Sequence, residues 1–181
     1  MRYKYLWTAV AVIFAVTGII AAVRSVQLNH QYPVPRNVMV SENTPAEKNG
    51  CAITVTDSVL EPLADDMEDL PVGEPIYMVK ASLRIENISD YDSSIYLTDF
   101  GLQSDIWYNQ MSRHETTVLN PELESAVITL HPGESEEIVL PFMIYWDRGM
   151  EEMAKQLMAG EADLDLVITQ YPVKRFCRLS Y

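Results

Sequence analysis

The chain has 181 residues, 48% of them hydrophobic, and sets 13 Lys and Arg against 26 Asp and Glu for a formal net charge of −13. A surface this acidic repels phosphate backbones and anionic lipid, so nucleic acid is excluded as a partner class. It can attract a basic partner or cations, but its simplest effect is to keep a domain soluble.

The first element is an uncharged run over residues 5–23 (YLWTAVAVIFAVTGIIAAV), fenced by Lys4 and Arg24. A bilayer core of roughly 30 Å takes about 20 apolar residues at 1.5 Å each, so the run is long enough to span. A cleaved signal peptide is the competing reading. Its apolar stretch is typically about 7–15 residues before an A-x-A-like site, whereas AAVRS is a poor site and no lipobox cysteine follows. We therefore expect residues 1–24 to be a cytoplasmic tip and a single-pass transmembrane anchor. Arg2 and Lys4 favour a cytoplasmic N-terminus and an extracytoplasmic remainder under the positive-inside rule. Every acidic residue lies beyond this anchor. Gly18 and Ala22 make a small-xxx-small pair of the kind that lets helices approach.

Residues 25–50 hold three prolines and many polar side chains, and are expected to form an extracytoplasmic linker. A short apolar patch at 38–40 is the one candidate edge strand within it. From residue 51 to 181 the period becomes two. Tyr77, Val79, Ala81, Leu83 and Ile85 alternate with Met78, Lys80, Ser82 and Arg84, a half-buried strand with one wet face. Ile53, Val55 and Val59 repeat the pattern weakly around Asp57. Ile138, Leu140, Phe142 and Ile144 repeat it after His131-Pro132-Gly133-Glu134, and Leu164, Leu166 and Ile168 repeat it again. Shorter candidates lie at 94–97, 100–104, 126–130 and 175–181. Seven to eight short strands with turn signals between them predict an all-β antiparallel sandwich. One helix interrupts it at about 147–159, capped by Asp147, with Glu151 and Glu152 in its first turn and Gly160 closing it. Its stripe of Met150, Met153, Ala154 and Leu157 is expected to plug one end of the sandwich.

The succession YMVKASLRIENISD, SSIYLTDFGLQS and LHPGESEEIVLPFMI resembles Ig-like domains of unknown function on membrane-anchored surface proteins and lipoproteins of Gram-positive bacteria. The residues that carry the resemblance are the turn at Glu86-Asn87-Ile88-Ser89, the strand with Phe100-Gly101-Leu102, and Pro132-Gly133-Glu134 leading to Pro141-Phe142. The resemblance implies an extracytoplasmic Ig-like sandwich and brings no catalytic residues. The 147–159 helix and the missing lipobox depart from its simplest form.

Candidate sites are few. Cys51 opens the first strand and Cys177 lies in the last, which can be neighbours in a Greek key. A bridge closing so long a loop stabilises by roughly 4–5 kcal/mol, and is expected ahead of two buried reduced thiols. The histidines His30, His114 and His131 are isolated, and no nucleophile elbow, zinc motif or phosphate-binding loop occurs. Asp65, Asp66, Glu68 and Asp69 have the oxygens for Ca²⁺ but not the spacing of a calcium loop; a solvated connection is the commoner reason for such a run. The aromatic pairs Trp107-Tyr108 and Tyr145-Trp146 fall in or beside loops, where they offer a binding platform at low entropic cost. Asn87-Ile88-Ser89 fits the glycosylation pattern, which the bacterial resemblance implies is a coincidence. The expectation is a non-enzymatic, anchored binding module without a cofactor, recognising a protein or cell-envelope component. An accessory subunit of a membrane complex, a calcium-binding sensor and an envelope enzyme are the alternatives.

Overall fold

The structure is a computed structural model that describes residues 2–32, 36–63 and 71–181. The chain divides into two compact units, Met1–Arg36 and Asn37–Tyr181.

The first unit is a helix, α1 (Arg2–Gln31). Its stretch Val12–Gln31 covers 20 residues with a mean hydropathy of 1.6, none of it buried. By length and composition that stretch can serve as a membrane anchor or a signal sequence. Ile13, Phe14, Ile19 and Ile20 are all exposed. Each forgoes roughly 1.5–3 kcal/mol of burial, which a hydrocarbon surrounding restores. The helix continues past Arg24 because nothing in SVQLNHQ breaks it; the first proline is Pro33.

The span expected as a linker therefore holds regular structure instead. After α1 come β1 (Arg36–Val40) and β2 (Ala46–Lys48), both incorporated into sheets. Ala46 and Lys48 are buried. Pro45 directly precedes β2 and so does not interrupt it, and Pro33 and Pro35 lie outside the described residues.

The remaining elements are β3 (Cys51–Pro62), β4 (Pro75–Asn87), β5 (Ser93–Tyr96), β6 (Gly101–Gln103), β7 (Tyr108–Gln110), α2 (Arg113–Leu119) and β8 (Val127–Leu130). They are followed by β9 (Ser135–Tyr145), α3 (Glu151–Ala159), β10 (Asp165–Thr169) and β11 (Val173–Arg178). One sheet has the order β1-β11-β10-β6-β7, a second β2-β3-β4-β9, and β5-β8 form a small separate ladder. Leu83, Ile85 and Phe142 from the second sheet share a core with Leu102, Leu166 and Ile168 from the first. The fold is a β-sandwich, as the period of two predicts. The strands beyond the expected number, β2 and β7, have 3 residues each, too few for a period to register, while β1, at the edge of its sheet, takes in the candidate edge strand at 38–40. The weak run around Asp57 is a bulge: pairing with β4 shifts register between Val55 and Asp57.

The free edge of β9 is met by two side-chain amides and one backbone N–H. Asn120 donates Nδ2–H to the Val139 carbonyl and accepts the Val139 N–H on Oδ1, both at 2.8 Å. Ser112 N–H donates to Pro141 O at 2.8 Å, and Asn109 Nδ2 to Met143 O at 2.8 Å. These groups occupy alternate residues of one strand and leave little for another strand to pair with. The helix α2 holds Ser112 and Asn120 at its two ends. Its buried residue is Thr116 rather than an apolar stripe, so no helical period marks it and the sequence predicts only the 147–159 helix among the strands.

The third helix, α3, begins at Glu151 with Met150 as its N-cap, three residues beyond the expected Asp147 cap. Gly149, at φ 87°, turns the chain there, and Asp147 Oδ1 accepts the Arg148 N–H at 2.7 Å instead. Gly160 closes the helix in the left-handed region at φ 68°. Ala154 and Leu157 are buried while Met150 and Met153 pack against the core.

Candidate binding cavities

The ladder between β4 and β9 runs past the strand ends, with Gly73 N–H donating to Trp146 O at 2.8 Å and Trp146 N–H to Glu74 O at 2.7 Å. This extension brings Tyr145 and Trp146 beside the start of β7, where Trp107 lies. Between them is a cavity of about 280 Å³, lined by Trp107, Asn109, Ile144, Tyr145 and Trp146 and closed by Met150, Asp147 and the Val72-Gly73 turn. Trp107 Nε1–H points at Met153 Sδ, 3.3 Å away, which fixes the indole against α3. Trp107 and Trp146 are half-buried against the core, and Tyr145 is 49% exposed. Three of the four aromatic residues singled out in the sequence thus share one concave surface. Its polar handles are the Asn109 amide and the Asp147 carboxylate.

Tyr108 does not join them. Successive residues of a strand face opposite ways, and Tyr108, which pairs with Gln103, reaches diagonally over Gly101 of the neighbouring strand β6. A Cβ built on Gly101 would come within 2.1 Å of the Tyr108 Cζ and hydroxyl oxygen, so that glycine is what admits the tyrosine. Tyr108 instead lines a second cavity of about 450 Å³ with Lys48, Asn49, Asp99, Gln110, Gln170 and Tyr171.

Lys48 is the residue of this second cavity that sequence reasoning missed. Lys48 pairs with Cys51 across a two-residue loop, Asn49-Gly50, with φ 50° and 78°. These angles make a type I′ hairpin turn, and Asn-Gly is its strongest sequence signal. Gly50 is required twice, by its φ and because a Cβ would come within 2.9 Å of Ser93 Oγ. The turn drives Lys48 inward, where its side chain is 7% exposed. Its Nζ donates to Ile168 O at 2.9 Å, lies 3.3 Å from Asp99 Oδ2 and stands 4.7 Å from the Phe100 ring centre. Burial pulls the Lys48 ammonium below its ordinary pKa, and the Asp99 carboxylate opposes that fall.

The other expected sites resolve as follows. Cys51 and Cys177 are both free and buried, so the expected bridge does not form. Cys51 belongs to β3 in one sheet and Cys177 to β11 in the other; it is β1 that lies beside β11. Burial pushes the Cys177 thiol up to about 11, with Glu42 and Asp165 adding to the rise. A thiol held protonated and covered is unreactive. We therefore expect Ellman's reagent to titrate no thiol in the folded protein and both after denaturation without reductant; a native-state reaction, or none in denaturant, would contradict this. Asp65, Asp66, Glu68 and Asp69 lie outside the described residues. Among the described residues no group of three or more His, Cys, Asp and Glu has metal-binding geometry. His131 Nδ1 lies 2.8 Å from Asp92 on the open surface, a turn contact rather than a catalytic pair. Asn87 is 1% exposed with its amide fully engaged, which removes it as a glycan acceptor in the folded state.

Two solved structures resemble the chain at low identity. One is an uncharacterized β-sandwich protein from Clostridium difficile 630, at 10% identity, covering 80% of this chain and 95% of its own, with a TM-score of 0.47. The other is the yjhA protein from Bacillus subtilis, at 12% identity, 77% and 98% coverage and a TM-score of 0.46. Comparison with curated proteins gives no match. A family model described as a domain of unknown function matches residues 45–175, which runs from the start of β2 into β11 and includes the lining of both cavities. The chain belongs to that family, Domain of unknown function (DUF5028).

Proposed function

We propose that this chain is a membrane-anchored, extracytoplasmic Ig-like module that binds a protein or a cell-envelope component and is not an enzyme. The observation that carries this reading is the meeting of Trp107, Tyr145 and Trp146 around one cavity of about 280 Å³. Large, rigid aromatic faces in a concave setting bury area at small entropic cost and dominate the energetics of recognition. The β9 edge is covered, which keeps that strand from indiscriminate pairing and leaves recognition to the cavity. The apolar helix α1 supplies the anchor, with the acidic sandwich outside.

The test is crosslinked capture from cells by the full-length chain, with Trp107→Ala and Tyr145→Ala compared with wild type. Trp107→Ala should weaken capture of a specific partner at least about tenfold, equivalent to roughly 1.4 kcal/mol. Tyr145→Ala, at an exposed position, should weaken it less without altering stability. Equal capture by all three proteins would sink the cavity as the recognition site. Capture that instead depends on the sequence of α1 would favour the accessory-subunit reading.

A further inference from the structure

The second cavity has a chemistry of its own. Of its described lining residues only Lys48 and Asp99 carry charge, and they lie 3.3 Å apart. The Lys48 ammonium also donates to the Ile168 carbonyl, so its positive charge is engaged within the protein. In a chain of net charge −13, this concavity is therefore locally neutral. Around the pair stand the side-chain amides of Asn49, Gln110 and Gln170, all exposed and each able to donate and accept. Tyr108 and Tyr171 complete the wall, 39% and 51% exposed.

Anions gain little here, because the one buried cation is already paired with a carboxylate. Cations gain little, because Asp99 is paired with Lys48. An apolar ligand would strip water from several amides without replacing their hydrogen bonds. What matches uncharged donors and acceptors flanked by phenol rings is a ligand with many hydroxyls and some flat C–H surface. The volume of about 450 Å³ falls in the range of small-molecule sites, roughly 300–1,000 Å³, and suits one or two sugar rings.

We propose that the cavity lined by Lys48, Asp99, Tyr108, Gln110, Gln170 and Tyr171 is a binding site for a neutral saccharide. The ring hydroxyls bond the amides and Asp99, and the C–H face rests on Tyr171 or Tyr108. The site is separate from the aromatic cavity and stands whether or not that cavity binds a partner.

The experiment is saturation-transfer NMR on the full-length protein in phosphocholine-lipid nanodiscs, which carry no sugar headgroups. The probes are maltose, cellobiose, lactose and N,N′-diacetylchitobiose, with glucuronic acid and glucosamine as charged comparisons. At least one neutral disaccharide should bind with a Kd of about 1 mM or tighter, an affinity of roughly 4 kcal/mol. Gln170→Ala and Tyr171→Ala should each weaken it at least about fivefold, near 1 kcal/mol. Gly101→Ala should do the same by expelling Tyr108 from its place, while Tyr145→Ala in the other cavity should change nothing. Circular dichroism identifies any variant that has lost its fold. The proposal is overturned if no neutral disaccharide binds at about 10 mM, far above that Kd. It is equally overturned if a charged sugar binds better, or if Tyr145→Ala removes the signal while Tyr171→Ala keeps it.

Discussion

Replacing Asn87 with alanine is expected to destabilise the sandwich by about 3 kcal/mol and to lower Tm by roughly 10 °C. The residue ends β4 and is 1% exposed. Its Nδ2 donates to Tyr91 O and Leu130 O, each at 2.8 Å, while Oδ1 accepts the Ser89 N–H at 2.9 Å and the Ser89 hydroxyl at 2.8 Å. Both amide protons and both oxygen lone pairs are therefore used. The backbone joins in, with Asn87 N–H donating to Glu134 O and Gly133 N–H to Asn87 O. One side chain thereby fastens the end of β4 to the loop before β5 and to the end of β8. Alanine leaves the buried Leu130 carbonyl without this donor and opens a void, and the full desolvation penalty then applies. Asn87→Asp is the sharper probe. It still accepts from Ser89, but turns an oxygen towards two carbonyl oxygens, so it should be at least as damaging as alanine despite matching in size. Urea unfolding followed by tryptophan fluorescence measures both. A loss below about 1 kcal/mol in each variant would show that the loop repacks without the amide.

The period of two exposed β4 and β9 in the sequence because both strands run for 11 or more residues with an apolar inner face. Gly160 announced the end of α3 because a left-handed residue there is best met by glycine. What escaped was structure held by polar or non-local contacts. The strand β2 turns a lysine inward, which no hydrophobic pattern marks, and its acceptor at Ile168 is 120 residues away. The helix α2 earns its place by presenting Ser112 and Asn120 to the β9 edge, so its apolar content says nothing about it. The cysteine pairing failed for a topological reason. First and last strands can be neighbours in a Greek key, but here β1, the edge candidate within the expected linker, takes the place beside β11. For the candidate sites, loop position and chemistry drew attention to Trp107, Tyr145 and Trp146. Adjacency in sequence then suggested that Tyr108 would join Trp107, whereas strand alternation sends it to the other cavity.

Glu42→Ala should cost about 1–2 kcal/mol near neutral pH and less in acid. Glu42 lies between β1 and β2 and ties three segments together. Its Oε1 accepts the Ser58 hydroxyl at 2.8 Å and the Ser180 N–H at 3.0 Å, and its Oε2 accepts the Ser180 hydroxyl. Ser58 belongs to β3 in one sheet and Ser180 follows β11 of the other, so the carboxylate clasps the two layers. Burial by itself raises the Glu42 pKa, but the hydrogen bonds from Ser180 and Ser58 outweigh it and hold the group below its ordinary 4.5. Because the folded pKa is the lower of the two, the unfolded chain takes up the proton first as pH falls. The stabilisation is therefore complete above about pH 4.5 and disappears as pH drops through the folded value. The gap between wild type and Glu42→Ala should be widest near pH 7 and narrow as pH falls below about 4.5 and through the lower folded value. Glu42→Gln separates charge from hydrogen bonding: it keeps one oxygen for Ser58 and the Ser180 N–H, so its loss near neutral pH should be smaller, and because glutamine does not titrate that loss should shrink in acid by the same amount as that of Glu42→Ala. A wild-type advantage over Glu42→Ala that stayed constant from neutral pH into acid would mean the segment is held by packing and that the ionised clasp contributes nothing.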